Sequence, residues 1–284
     1  MTPLRQKMIE AMQQRGFSIR THQSYLAAVT DLARYYHQSP DQLTLDQLHG
    51  YFKHLAIERH LSGSSCRLAL NALRFLYLQV LHWSSFDVPF VIPKKEQRIP
   101  ELLTHNEVKR IINACENPKH KMLLTLCYGC GLRVSEVIEV QVKDIDGERS
   151  LLRITQGKGA KDRLVIISPG LLNQLRDYWR RYRSRQWLFP HAHRPGQHIG
   201  ISSAQRIFGK AKRLSGVEKE GGIHSLRHAY ATHQLAQGLP IHQLQKLLGH
   251  INIHSTMRYL HWVPGAQGDN QHGDLVAELE GHHD

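Results

Sequence analysis

The chain has 284 residues, 41% of them apolar and 21% charged, enough apolar sequence for two buried cores and too much for global disorder. It carries 37 Lys/Arg against 24 Asp/Glu, a formal net charge of +13, which points to a polyanionic partner: nucleic acid before an anionic membrane surface. It holds no run of about 18 apolar residues that would cross a membrane, its first residues lack the apolar stretch of a secretory signal, and four cysteines make no disulfide framework, so a reducing cytoplasmic setting is expected.

Residues 1–85 read as helical. Leu26, Val29, Leu32, Ala33 and Tyr36 recur at helical spacing. Thr44 and Gln47 form a capping box that opens a helix through about Arg59. Ser62 to Leu81 puts Leu68, Ala72, Leu73, Leu76, Tyr77 and Val80 on one side of another helix. Short connections make this a four-helix unit, placed at residues 1–88. Pro89, Pro93 and Pro100 then break the pattern around Lys94, Lys95 and Arg98, and 89–101 reads as an extended basic linker.

A second domain, 102–263, opens with the capping box of Thr104 and Glu107. Met122 to Cys130 is the next helix, closed by Gly131. The period then changes. Leu151–Thr155 and Arg163–Ile167 read as two strands joined by a Gly-rich turn, 156–162. From Ser168 the chain is helical again, with Gly238-Leu239-Pro240 dividing two helices and Gly249 ending the second. The fold class expected is mainly α with a small antiparallel β-sheet. Charge follows the domains: residues 94–263 hold 28 Lys/Arg against 13 Asp/Glu, whereas 264–284 hold five acidic residues and no basic one. The tail's Leu275, Val276, Ala277 and Leu279 read either as a short amphipathic piece that packs on a neighbouring copy or as an unstructured end.

Four groups of residues can carry chemistry. Arg133 follows a helix-ending Gly131 in Gly131-Leu132-Arg133-Val134-Ser135-Glu136. Lys158 sits at the tip of the hairpin, where an ammonium on a short arm suits a phosphate or a leaving oxygen as well as plain solvation. His224 and Arg227 share one helix face at i, i+3, a pair suited to phosphoryl transfer: a planar fork for two oxygens beside a proton carrier. His250 precedes Tyr259 by nine residues, and a phenol, with an ordinary pKa of about 10, becomes a nucleophile only where cations surround it. Each group alone also has a plain structural reading. Cys127 and Cys130 read as core packing rather than a metal pair, and His191, His193 and His198 lack the accompanying carboxylate or thiolate of a metal site, so no metal and no cofactor are expected. Gly238 to His250 with the helix after it looks like a helix-turn-helix, which is read as packing around His250.

Together the four groups resemble the tyrosine recombinase (phage integrase) family, including its Xer-type members, whose pattern runs Arg, Lys, His-x-x-Arg, His/Trp, Tyr. Here it reads Arg133, Lys158, His224, Arg227, His250, Tyr259, in that order over about 130 residues, with Gly157-Lys158-Gly159, His224-x-Leu226-Arg227-His228, Leu248-Gly249-His250 and Thr256-x-x-Tyr259 around it. Leu61-Ser62-Gly63-Ser64-Ser65 and Ala72-Leu73-Arg74-x-x-Tyr77 resemble the family's core-binding domain. The resemblance implies a four-helix core-binding (SAM-like) domain plus an α+β tyrosine-recombinase catalytic domain. It also implies a site-specific recombinase that cuts and rejoins duplex DNA through a 3′-phosphotyrosyl link without metal or ATP. Tyr259 is the implied nucleophile, Arg133 and Arg227 the phosphate ligands, and Lys158 the acid for the departing 5′-oxygen. His224 is the implied acid or base toward Tyr259, and His250 a hydrogen-bond donor to phosphate. Lys94, Lys95, Arg98, Arg74, Lys161 and Arg163 are the residues expected at the DNA backbone. The implied partners are a double-stranded recombination site, a homo-tetramer on two such sites, and accessory recombination proteins; no membrane partner is expected. Beside this reading stand a type IB-like DNA-relaxing enzyme and a catalytically silent DNA-binding regulator.

Overall fold

The computed structural model describes residues 2–88, 101–155 and 162–262. The chain divides into two compact units, residues 1–98 and 99–284. Lys94, Lys95, Arg98, Lys158, Lys161 and the tail 264–284 lie outside the described residues.

The first unit is built from four helices: α1 (Pro3–Gln14), α2 (Ile19–Tyr36), α3 (Leu45–Lys53) and α4 (Gly63–Phe75). Each starts on a side-chain cap, from Thr2, Ser18, Thr44 and Ser62, and Thr44 with Gln47 completes the expected capping box. Wide turns, His54–Glu58 and Leu76–Val80, carry α3 and α4 on to about the expected ends. Met8, Met12, Leu32, Leu48, Phe52, Leu55, Cys66, Leu73 and Leu76 form the core. Leu68, expected on the buried stripe, is 43% exposed. The buried side of α4 runs through Cys66, Ala69, Leu73 and Leu76, and a residue one step from Ala69 turns about 100° away from it. Arg74 is exposed in the last turn of α4.

In the second unit α5 (His105–Asn113) begins at the Thr104–Glu107 capping box. Next comes α6 (Pro118–Gly129), which starts four residues before the expected Met122 because Asn117 caps it and Pro118 takes the first helical position. It packs against α5, α7 (Val134–Ile138), α8 (Pro169–Tyr182), α9 (Ile201–Leu214) and α10 (His224–Ala236). Met122, Leu123, Leu124, Leu126 and Cys127 are all buried, so α6 is apolar on several sides, as a helix at the middle of a core must be. The sheet has three antiparallel strands in the order β1 (Ile145–Asp146), β2 (Leu151–Ile154), β3 (Arg163–Ile166). β1 adds a third strand to the expected hairpin, and its two residues are too few to show alternation. α11 (Ile241–Leu248) and α12 (His254–Leu260) close the described chain, with Leu244, Leu248 and Tyr259 packed onto Tyr230, Ala231 and Leu235 of α10. Among the described residues no helix is long and apolar enough to cross a membrane.

Candidate active site

Two glycines in the left-handed region set the site. Gly131 turns the chain from α6 into α7 at φ +59°, where an added Cβ would lie 2.3 Å from the Tyr230 ring. The turn delivers Arg133 to the start of α7 beside α10. Gly249 ends α11 at φ +61°, and a Cβ there would meet Arg163 at 2.8 Å. The α11 carboxyl end therefore sits directly on Arg163. Its last carbonyls, which have no partner within a helix, take guanidinium donors in succession: Leu247 O from Arg163 at 2.9 Å, Leu248 O from Arg227 at 2.7 Å, and Gly249 O from Arg133 at 3.3 Å.

The carboxylate of Glu136 faces the same three arginines. It accepts from Arg133 at 2.6 Å, from both terminal nitrogens of Arg163 at 2.8 and 2.7 Å, and stands 3.6 Å from Arg227. Burial raises the Glu136 carboxyl, but the Arg163 fork, the Arg133 N–H and the Arg227 charge outweigh it and hold it at about 2. Three guanidiniums against one carboxylate leave an excess of positive charge beside the last turn of α11, which is suited to a phosphate.

Arg227 is 1% exposed. Its fork donates to Gly131 O at 2.7 Å, to Leu248 O, and to His250 Nε2 at 3.0 Å. Burial and then the Arg133 charge lower this guanidinium to about 10, so it remains a cation at neutral pH. A guanidinium cannot accept, so His250 carries its proton on Nδ1 and donates it to Thr256 Oγ1 at 2.8 Å. Burial, then Arg227 and Arg133, lower His250 to about 4.

Tyr259 lies on α12 and is 3% exposed. Its hydroxyl meets His228 Nδ1 at 3.0 Å. The imidazole facing the phenol is the one that follows Arg227, while His224, expected as the acid or base toward Tyr259, is exposed on the first turn of α10 and touches the His228 ring edge-on with centroids 4.6 Å apart. Burial raises the Tyr259 phenol, against the pull of Arg227, Arg258 and Arg133. Burial, His224, Arg227 and Arg258 lower His228 to about 4, so at neutral pH it is an uncharged proton acceptor. Partial burial and the Arg227 and Arg133 charges lower His224 as well.

Arg163, expected at the DNA backbone, has a side chain 9% exposed whose guanidinium is committed to Glu136 and Leu247 O, so here it braces the site. The structure thus brings Arg133, Arg227, His250 and Tyr259 together, keeps His224 at the edge, and adds Glu136 and His228, which lie within the strings Gly131–Glu136 and His224–His228. Cys127 and Cys130 are buried, free thiols, and no group of three metal-ligating side chains is found among the described residues.

Residues 101–264 match the family model described as the Phage integrase family, and residues 4–84 match Phage integrase, N-terminal SAM-like domain. The chain belongs to the phage integrase family. Over 262 residues, 92% of this chain and 84% of the relative, it is 42% identical to a Sinorhizobium fredii protein named as an integrase/recombinase, y4qK. It is 31% identical to an Escherichia coli integrase/recombinase, covering 91% of this chain and 90% of that one. Among solved structures it is similar to XerA recombinase (25% identical, TM-score 0.55, covering 99% and 98% of the two chains). It shares the fold of a lambda integrase dimer bound to a COC′ core site (19% identical, TM-score 0.72, covering 88% and 91%). The expected fold class, a SAM-like helical domain plus a tyrosine-recombinase catalytic domain, is the one observed, and the chain is a tyrosine recombinase of the integrase type.

The half-buried His228 and His250 imidazoles make this recombinase acid-sensitive. His228 and His250 are neutral in the fold down to about pH 4, whereas in the unfolded chain they take up protons below about 6.5. The folded values are depressed, so the unfolded state binds more protons between the two; stability is complete above 6.5 and is lost as pH falls toward 4. Each pH unit below 6.5 is worth up to about 1.4 kcal/mol per histidine. Urea titration is expected to show a lower midpoint at pH 5 than at pH 7.5, with the difference reduced in His250→Asn.

Proposed function

We propose that this chain is a site-specific DNA recombinase in which Tyr259 is the nucleophile. The phenol oxygen attacks a backbone phosphorus, the P–O5′ bond breaks, and a 3′-phosphotyrosyl ester holds the bond energy until a 5′-hydroxyl from a second duplex reverses the step. The phenol proton passes to His228. Lys158, outside the described residues, is the acid for the departing 5′-oxygen. Arg133 and Arg227 bind the non-bridging oxygens, where negative charge grows in the transition state, and such preorganised charge is the largest single catalytic contribution in most sites. His224, at the mouth, and His250 complete the set. The scissile phosphate replaces part of the contact that α11's carbonyls now make with the arginines. Because Tyr259 is buried, α12 shifts as DNA enters, bringing the oxygen in line with phosphorus. The partners are a double-stranded recombination site and, at the level of strand exchange, a homo-tetramer on two sites.

The observation that carries this reading is the hydrogen bond between the Tyr259 hydroxyl and Nδ1 of an uncharged His228 inside the field of Arg227, Arg133 and Arg258. The test uses duplex from the ends of the element that encodes the protein, nicked beside the cleavage point so that the short strand diffuses away. A covalent protein–DNA band whose nucleotide maps to the Tyr259 peptide is expected, while a supercoiled plasmid without the site stays supercoiled. Efficient relaxation of that plasmid moves the chain to the DNA-relaxing class, and binding without any covalent band moves it to a silent regulator.

A further inference from the structure

Away from the active site, the catalytic unit holds a cavity of about 740 Å³ between the start of α6, the segment 190–199 and one side of α9. Lys119, His120, His191, His193, Arg206 and Lys210 line it, against a single carboxylate, Glu116. The cations come from different elements and converge: Lys119 on α6 and Lys210 on α9 both act on the His120 imidazole, which burial and these two charges push below its ordinary value. Among the described residues Lys119 donates to the Pro190 carbonyl and Arg206 to Ser203 Oγ. Among the described residues none of Lys119, Arg206 and Lys210 is paired with a carboxylate, whereas Arg59, Arg180 and Lys219 elsewhere have Asp31, Asp177 and Glu107. Gathering several like charges around one cavity with a single carboxylate among them costs energy in the free protein, and an anion lowers that cost.

We propose that this cavity is a second phosphate-binding site that grips the backbone of the duplex flanking the cleavage point. The inference rests on the recombinase reading. Two features favour a DNA backbone over a free nucleotide. Among the described residues no Trp, Tyr, Phe or Gly lines the cavity, so nothing there stacks on a base or cradles a terminal phosphate in a Gly-rich loop. The cavity is also joined to the active site by α6, whose 12 residues span about 17 Å between the Lys119 end and the turn that delivers Arg133. That length equals about five base pairs of duplex at roughly 3.4 Å each, so phosphates within half a turn of the scissile one come into range. Held at both ends of one rigid helix, the duplex is fixed in register, and the cavity positions the scissile phosphate without touching the reacting atoms.

The contact is independent of base sequence, so it is tested on a duplex of arbitrary sequence. Arg206→Gln and Lys210→Gln, singly and together, are compared with the wild type and with Arg149→Gln, an exposed arginine beside Asp146 that gives the size of a general charge effect. Each cavity variant is expected to make the fall of binding with salt shallower by about 0.9 in the log–log slope, which near 0.1 M salt is about an eightfold loss of affinity per contact. Thermal midpoints stay at or above the wild-type value, because each neutral side chain relieves part of the repulsion among the cavity's charges. Slopes no different from that of Arg149→Gln overturn the proposal. So does an unchanged DNA slope together with a thermal shift by pyrophosphate that the double variant loses, which assigns the cavity to a small anion. A wild type that binds no duplex overturns the recombinase reading itself.

Discussion

Glu136→Ala is expected to destabilise the catalytic unit by about 3–5 kcal/mol, the range seen when one member of a buried ion-pair network is removed. The carboxylate side chain is 6% exposed and is shared by Arg133, Arg163 and Arg227. Its loss leaves three guanidiniums close together, held by the carbonyls of Gly131, Leu247, Leu248 and Gly249 and by the His250 ring, none of which carries a full negative charge. Those carbonyls carry partial charge, and mutual repulsion of three full charges outweighs them. Glu136→Gln keeps the shape but turns an acceptor toward a donor, so it is expected to be destabilising too, by less. Urea unfolding of the full chain, with the midpoint moving at constant slope, measures both. A loss below about 1 kcal/mol for the alanine variant, the worth of an exposed pair, would show that the network adds little. Acid tests the same charge in the wild type. The folded carboxyl stays ionised to about pH 2, below its ordinary 4.5, so its contribution is complete above 4.5 and drains away as pH falls toward 2.

The sequence makes some of this site visible and hides the rest for a physical reason. Arg133, Arg227, His250 and Tyr259 stand in short strings that each have a plain structural reading alone and that only together, in their order, resemble the tyrosine recombinase pattern. Glu136 and His228 stand in the same strings, yet what they do depends on partners far along the chain. Glu136 meets Arg163, 27 residues on, and His228 meets Tyr259, 31 residues on. Arg163 illustrates the converse. On a strand next to a Gly-rich basic turn it reads as a DNA contact, and only the approach of α11, fixed by Gly249, shows that its fork is already occupied. Helix starts are legible where caps act locally, as at Thr44 and Thr104. The core stripe on α4 is misread at Leu68 because apolar type alone does not say which of two neighbouring faces meets α2. The cavity that His191, His193 and Lys119 share is not legible in the sequence, since it exists only when three separated segments come together.

Arg227→Lys is expected to slow formation of the covalent adduct by about 10³-fold or more, the larger end of what one preorganised donor to a developing oxyanion is worth. The residue keeps its charge in name only. A lysine ammonium is a single point that cannot reach Gly131 O, Leu248 O and His250 Nε2 in one plane. At a position 1% exposed, an ammonium beside Arg133 is also driven toward its neutral form. Two consequences separate catalysis from scaffolding. His250 loses the donor that fixes its tautomer, so the pH dependence of the adduct rate changes as well as its size. Noncovalent binding to duplex, carried by exposed cations elsewhere, falls by less than tenfold. Single-turnover rates on the nicked substrate, measured from pH 6 to 9 with binding measured in parallel, decide the matter. An adduct rate within tenfold of wild type at every pH would mean that the guanidinium fork ties the Gly131 turn to the end of α11 and contributes nothing further to the transition state.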